Sequence, residues 1–268
     1  MEPTGRQLPP PVVEAVRVWI RHHEEHAPGL VEGLYIVGSV ALDDWHPGHD
    51  VDVVAMTADP ATDDEVGALR RAADATRDEL GDVTNVDGPI VAWSDLSSPP
   101  LAAMRPWTIE GDFRFDGECP EINPVVWYVL ERYGIAAIGG PTSGLGIYVD
   151  GHDRVQWVVE NVDTYWRGVR AQLVEILEAL PDQQTFDADV VEWCVLGIAR
   201  MAYTSTSGEV TSKTAAGEWL MGQMPEHDEV VRSALDIRRR NDPAEQAHRS
   251  TVEATVVAMT DLIEAITR

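Results

Sequence analysis

An α/β module followed by an all-helical module is the fold class this chain predicts, on three observations. Residues 33–37, Gly-Leu-Tyr-Ile-Val, and 51–56, Val-Asp-Val-Val-Ala-Met, are apolar runs of strand length separated by a Gly-Ser turn and a polar stretch. A glycine-rich break, Gly139-Gly-Pro-Thr-Ser-Gly-Leu-Gly146, interrupts the chain near its middle. Beyond it the long segments carry apolar residues at helical spacing. The boundary is placed at Asp150, giving modules 1–150 and 151–268, since 268 residues favour two domains over one.

The elements follow in order. Residues 12–26 form a helix with an apolar stripe of Val12, Val13, Val16, Trp19 and Ile20 and a polar face bearing His22, His23 and His26. A His pair four apart can bind metal, but His-His-Glu-Glu-His is not the H-E-x-x-H order of a zinc protease and no further ligand is evident. A solvated helix end is expected there. Residues 63–80 are a second amphipathic helix, and 84–93 a strand with Asp87 near its head. Residues 96–118 read as loop, of the kind that often lines a site. Residues 121–133 are a helix with Pro124 in its first turn. The glycines of 139–146 match neither a phosphate-binding loop with its G-K-[ST] nor a dinucleotide fingerprint, so a flexible connection is expected. Helices then cover 153–180, 187–205, 212–224, 227–239 and 243–267.

Composition narrows the function. A hydrophobic share of 44% with nine Trp indicates a globular protein. No apolar run reaches the roughly 18 residues a membrane span needs. The opening Met-Glu-Pro-Thr-Gly-Arg lacks the basic-then-apolar order of a secretory signal, so a cytoplasmic location is expected, and a monomer. Cys119 and Cys194, far apart and outside any C-x-x-C, read as reduced structural thiols. A net charge of −26 argues against a nucleic-acid partner, whose phosphates are bound by Lys and Arg releasing counterions. Lys213 is the only lysine beside nineteen arginines, which together with the evenly spread acidity suggests a salt-adapted or GC-biased proteome more than a polycationic substrate.

The segment from Gly38-Ser39 to Asp50-Val51-Asp52 carries the chemistry. Ten residues separate Ser39 from Asp50. Residues two apart on a strand share a face, so Asp50 and Asp52 are expected side by side while Val51 and Val53 enter the core. Paired carboxylates suit Mg²⁺, which takes oxygen ligands and shares them with substrate phosphates. The Gly38-Ser39 turn at a helix start offers backbone N–H groups and a hydroxyl to those phosphates. An acidic pair at a sheet edge is the plainer alternative.

This G-S-x₁₀-D-x-D pattern resembles the nucleotidyltransferase superfamily, and most of all the aminoglycoside adenylyltransferases. That resemblance implies an α/β nucleotidyltransferase domain with a mixed sheet flanked by helices, followed by an all-α helical bundle. It also implies a third carboxylate at the head of the next strand, here Asp87, as general base or as a further metal ligand. Relatives often carry Glu at that place, and Asp87 could instead simply begin a turn with Gly88-Pro89.

The second module extends the resemblance. Asn161-Val-Asp-Thr-Tyr-Trp166, Trp193 through Tyr203, and Gly208-Glu-Val-Thr-Ser-Lys213-Thr-Ala-Ala-Gly217 are similar to the helical domain of the streptomycin/spectinomycin adenylyltransferases. The likeness runs from about Gly33 to Arg239, and it implies that Arg200 and Lys213 contact nucleotide phosphates. Helix physics points the same way for Lys213. Ser212 is a plausible N-cap, so Lys213 falls in a first turn, where the dipole disfavours a cation unless an anion docks. Trp107, Glu110, Trp166, Glu192 and Trp193 are candidates for holding a cationic acceptor, which carboxylates and aromatic faces suit.

The resulting expectation is transfer of AMP from ATP, with Mg²⁺ at Asp50 and Asp52 and Asp87 deprotonating the acceptor or completing the metal site. The acceptor is an aminoglycoside or aminocyclitol, and ATP is expected at the junction of the two modules. A protein side chain or another metabolite as acceptor, and a catalytically idle nucleotide-binding module, are the alternatives.

Overall fold

A computed structural model of the chain describes residues 7–100, 103–181 and 183–268. The first six residues, whose sequence bore on secretion, and two positions of the 96–118 segment lie outside them. The chain divides into two compact units, 1–150 and 151–268.

The first unit is built on a six-stranded mixed sheet of order β5-β4-β3-β2-β1-β6. Its strands are β1 Gly33–Ile36, β2 Val51–Thr57, β3 Val86–Ala92, β4 Trp107–Ile109, β5 Asp112–Arg114 and β6 Ile135–Ile138. β2 and β3 run parallel, and the other neighbouring pairs are antiparallel. The helices are α1 Pro10–His26, the short α2 Gly38–Ala41, α3 Asp63–Leu80 and α4 Pro124–Tyr133. α1 starts on proline, whose missing N–H costs nothing in a first turn. Thr62 and Glu65 cap α3 reciprocally. Asn123 Oδ1 accepts from the N–H groups of Val125 and Val126 at 3.0 Å and so opens α4.

Strand periodicity decides which way each carboxylate points. Val51, Val53 and Ala55 of β2 and Val86 and Ile90 of β3 join Val12, Val16 and Trp19 of α1 and Leu69 and Ala73 of α3 in one core. Residues of opposite parity, Asp52 and Asp87 among them, face the other side of the sheet.

His23 departs from the expected polar face. It is buried, its ring stacked on Trp19 with centroids 3.5 Å apart, and Nδ1–H donates to the Trp19 carbonyl at 2.8 Å. Burial pushes its pKa from 6.5 down to about 3. The unfolded chain therefore binds a proton near pH 6.5 that the folded chain refuses until about pH 3, so stability is full above that window and is lost as pH falls through it. Between about pH 7 and about pH 4, denaturant unfolding should show the wild type losing more stability than His23→Phe, which keeps the stacked ring and cannot titrate. Parallel losses in the two proteins would refute this role.

The segment expected as loop contains the β4–β5 hairpin. Its two-residue turn, Glu110-Gly111, has φ of 50° and 75°. Positive φ at both central positions is the type I′ geometry that matches strand twist.

The second unit consists of α5 Gly151–Asn161, a π-helical turn Val162–Trp166, α6 Arg167–Ala179, α7 Asp189–Ser207, α8 Lys213–Gln223, α9 Asp228–Arg240 and α10 Arg249–Ile266. α7 is its axis, burying Val191, Val195, Leu196, Ile198 and Ala199. It ends on Gly208 at φ 75°, a left-handed cap. Helices alone do not complete the unit. β7 Thr185–Asp187 pairs antiparallel with β8 Gln246–His248, so the helix expected from 243 starts only at Arg249. The Asp242 carboxylate accepts from Ala244 N–H at 3.0 Å and Gln246 Nε2 donates to Asp187 at 2.8 Å, which together override a locally helix-compatible sequence. Cys119 and Cys194 are free and buried, with burial pushing both thiols up to about 12. Among the described residues, no helix is long and apolar enough to cross a membrane.

Candidate active site

β1, α2 and β2 converge on Asp52. The Val37 N–H donates to the Asp52 carbonyl at 2.8 Å, bringing the turn onto β2. Gly38 then passes so close, at φ 55°, that a Cβ there would lie 1.7 Å from Asp52 Oδ2. Only glycine permits this approach, because an added methyl would displace the carboxylate. Ser39 follows with its hydroxyl buried and no hydrogen-bond partner. A buried hydroxyl left unsatisfied is costly unless a ligand completes it.

Asp50 differs from the sequence expectation in one respect. It precedes β2 and is exposed, whereas Asp52 lies within the strand and is half-buried. Its carbonyl accepts from Trp45 Nε1 at 3.0 Å, and the next N–H, Val51, donates to Asn85 O at 2.8 Å. These contacts anchor the entry to β2. The oxygens of Asp50, Asp52 and Asp87 do not all come within 4.8 Å of one another.

Asp87 is the register partner of Asp52 across the parallel pair, which puts the two side chains on one face. Its Oδ1 accepts from Gly111 N–H at 3.0 Å, so the hairpin turn holds the carboxylate from outside the β2–β3 pair. Burial is the main reason its pKa rises to about 6; Asp50 adds to the rise, and the Gly111 and Glu110 amides oppose it. This support was not read from the sequence, although Glu110-Gly111 between two short apolar-containing runs is the kind of signal that marks a hairpin. Beside the site, a pocket of about 430 Å³ is lined by Gly48, Asp50, Thr84, Asn85 and Glu110 among others. The exposed Glu110 side chain thus stands on an acidic wall, while Trp107 is half-buried in β4 opposite Pro89.

These side chains fit a Mg²⁺-bound polyphosphate. Carboxylate oxygens are the ligands Mg²⁺ prefers, and the orphaned Ser39 hydroxyl beside Asp52 is a ready donor to a phosphate oxygen.

In the second unit Ser212 caps α8, its Oγ accepting from Ala215 N–H at 3.2 Å. Lys213 Nζ donates to Glu192 Oε2 at 3.2 Å, and Arg238 Nη1 donates to Glu192 Oε1 at 2.9 Å. Arg238 Nε also reaches Thr214 Oγ1 at 3.3 Å. Burial would raise the Glu192 carboxyl, but Lys213 and Arg238 outweigh it and hold it below its usual range. Lys213 is lowered, by burial first, with Arg200 and Arg238 adding to the effect against Glu192. Glu192 thus pairs with Lys213 and Arg238, and Arg200 lies close enough to act on Lys213, in a chain of net charge −26. Glu192, expected to face an acceptor, has both oxygens committed to this group. Trp166 is likewise core: it is buried, and a Cβ on Gly197 of α7 would meet its ring at 2.4 Å. Trp193 is 39% exposed and lies 5.1 Å from Trp166 and 6.4 Å from Tyr165, centroid to centroid.

Residues 22–89, which include Gly38, Ser39, Asp50, Asp52 and Asp87, match the family model of a nucleotidyltransferase domain. Residues 158–262, which include Glu192, Arg200, Lys213 and Arg238, match that of the aminoglycoside adenylyltransferase C-terminal domain. The chain is a relative of the aminoglycoside adenylyltransferase family.

Among solved structures this adenylyltransferase relative is similar to the spectinomycin adenyltransferase AAD(9) from Enterococcus faecialis, crystallised with ATP and spectinomycin. The likeness has a TM-score of 0.67 at 15% sequence identity and covers 96% of this chain and 99% of that one. At that identity it establishes a shared fold. No curated protein matches the chain in sequence. Two features of this nucleotidyltransferase escaped the sequence reading, the hairpin that holds Asp87 and the Arg238–Glu192 pair. No motif marks Arg238, which lies among Arg239 and Arg240 at the end of α9 and differs from them only in being buried.

Proposed function

We propose that this nucleotidyltransferase transfers AMP from ATP to a hydroxyl of a cationic aminocyclitol or aminoglycoside. The observation that carries the reading is the Gly38-Ser39 turn pressed against Asp52, where a buried Ser39 hydroxyl without a hydrogen-bond partner stands beside the paired carboxylates, ready to donate to a phosphate oxygen. Asp50 and Asp52 hold Mg²⁺, which supplies neutralising charge to the phosphates. Ser39 Oγ donates to a phosphate oxygen. Asp87, held by the Gly111 amide and ionised near neutral pH, takes the proton of the acceptor hydroxyl. The hydroxyl oxygen bonds to the α-phosphorus, the bond to the β-phosphate oxygen breaks, and pyrophosphate leaves with its charge met by Arg200 and Lys213. Arg238 and Glu192 position Lys213 for that task. Glu110 and Trp193 remain the exposed candidates for the acceptor's amino groups and ring faces, and the half-buried Trp107 is a third.

Mg·ATP should raise the melting temperature of the wild type, because a ligand that binds only the folded chain stabilises it. Lys213→Ala should shrink that rise, since a charge-assisted contact to phosphate is worth about 1.5–3 kcal/mol. An undiminished shift in the variant would remove Lys213 from the nucleotide site. Pyrophosphate release on a panel containing spectinomycin and streptomycin tests the acceptor class, and release with neither drug would exclude both as acceptors.

A further inference from the structure

We propose that the C-terminal end of α1 is a binding site for a late first-row divalent ion, Zn²⁺ in kind, held by His22, Glu25 and His26, none of which takes part in the chemistry described above. Among the described residues this is the one group of three His, Cys, Asp or Glu side chains whose ligand atoms all lie within 4.8 Å of one another. The spacing i, i+3, i+4 puts the three on one helical face. Their rings and carboxylate are already gathered: His22 and His26 have centroids 6.3 Å apart with planes 23° from parallel, and His22 Nδ1 lies 3.3 Å from Glu25 Oε2. Ligands bound to zinc at 2.0–2.1 Å in a tetrahedron stand about 3.4 Å apart, so the exposed Glu25 and His26 side chains need only a small rotation to close on an ion.

The sequence showed a histidine pair without a third partner. The fold adds Glu79 of α3, whose Oε2 lies 2.8 Å from His22 Nε2. Arg21 Nη2 also lies 3.0 Å from Nε2 and donates to the same Glu79 oxygen; with Glu79 accepting from Nε2–H, the other imidazole nitrogen keeps its lone pair, the arrangement found behind most metal-bound histidines. The remaining nitrogen, Nδ1, is buried and has no hydrogen-bond partner. A lone pair 3.3 Å from a carboxylate oxygen is repelled by it, and a cation bound to both removes that repulsion. Arg21 donates to Glu79 and stands 3.8 Å from Glu25, so one guanidinium is shared between the two carboxylates nearest the histidines. The site also lies in the last turn of α1, where the helix dipole favours positive charge. Two imidazoles with a carboxylate select zinc and its neighbours over Mg²⁺, which sets the site apart from the all-carboxylate one.

Zn²⁺ alone is the probe, titrated calorimetrically into the full chain, freed of metal beforehand and kept in excess Mg²⁺ so that the aspartate site is occupied. One zinc equivalent should be lost or weakened about ten-fold or more in His26→Ala, whose side chain is exposed and whose loss spares the fold. Glu79→Gln should weaken the same equivalent by about ten-fold while touching no metal, through loss of the tautomer-setting contact. Anomalous scattering at the zinc edge should place the ion between His22 Nδ1, Glu25 and His26. Zinc affinity unchanged in His26→Ala, no zinc bound at all, or a peak only elsewhere, such as at the neighbouring His46 and His49 rings, would overturn the proposal.

Discussion

Asp52→Asn is expected to reduce pyrophosphate release by about a thousand-fold or more while leaving the fold intact, because the loss falls on charge stabilised during transfer. Asparagine is nearly isosteric, so the close approach of Gly38 and the Val37–Asp52 backbone bond survive the change. The melting temperature without ligand should stay within about 3 °C of wild type, the shift that about 1 kcal/mol gives in a chain of this size. Asp87→Asn makes the informative contrast. Loss of a base acts on kcat with Mg·ATP affinity nearly unchanged, whereas loss of a metal ligand acts on both. Turnover at the wild-type rate in Asp52→Asn would remove the carboxylate pair from the reaction.

Glu192→Gln should destabilise the protein by about 3 kcal/mol in urea denaturation, since it strips the counter-charge from Lys213 and Arg238 inside the helical unit. Removing one partner of a buried ion pair leaves the other's desolvation uncompensated. Mg·ATP should recover part of that loss, because phosphate oxygens replace the missing carboxylate. An acceptor-binding carboxylate would behave in the opposite way. Its removal would spare stability and raise the acceptor KM, so unchanged unfolding in Glu192→Gln would restore Glu192 to the acceptor site.

The sequence determined the parts of this protein whose signals are local. Strand runs flanking Gly38-Ser39, the spacing to Asp50 and Asp52, the stripe of α1 and the Ser212 cap each depend on residues a few positions apart, and periodicity or turn chemistry exposes them directly. The carboxylates and the lysine proposed for the site stand out in the sequence for the same reason. Tertiary structure alone decided what those residues face. Asp87 is held by a hairpin amide 24 residues away, Glu192 by cations 21 and 46 positions on, and His22 by Glu79 57 positions on. His23 was expected on a polar face and is buried, and Trp166, an acceptor candidate, is buried against α7, because a helical position says which face a side chain takes and not what packs against it. Burial and partner choice come from long-range packing, which fixes the energy of a charge or an imidazole through its surroundings and leaves no trace in neighbouring sequence.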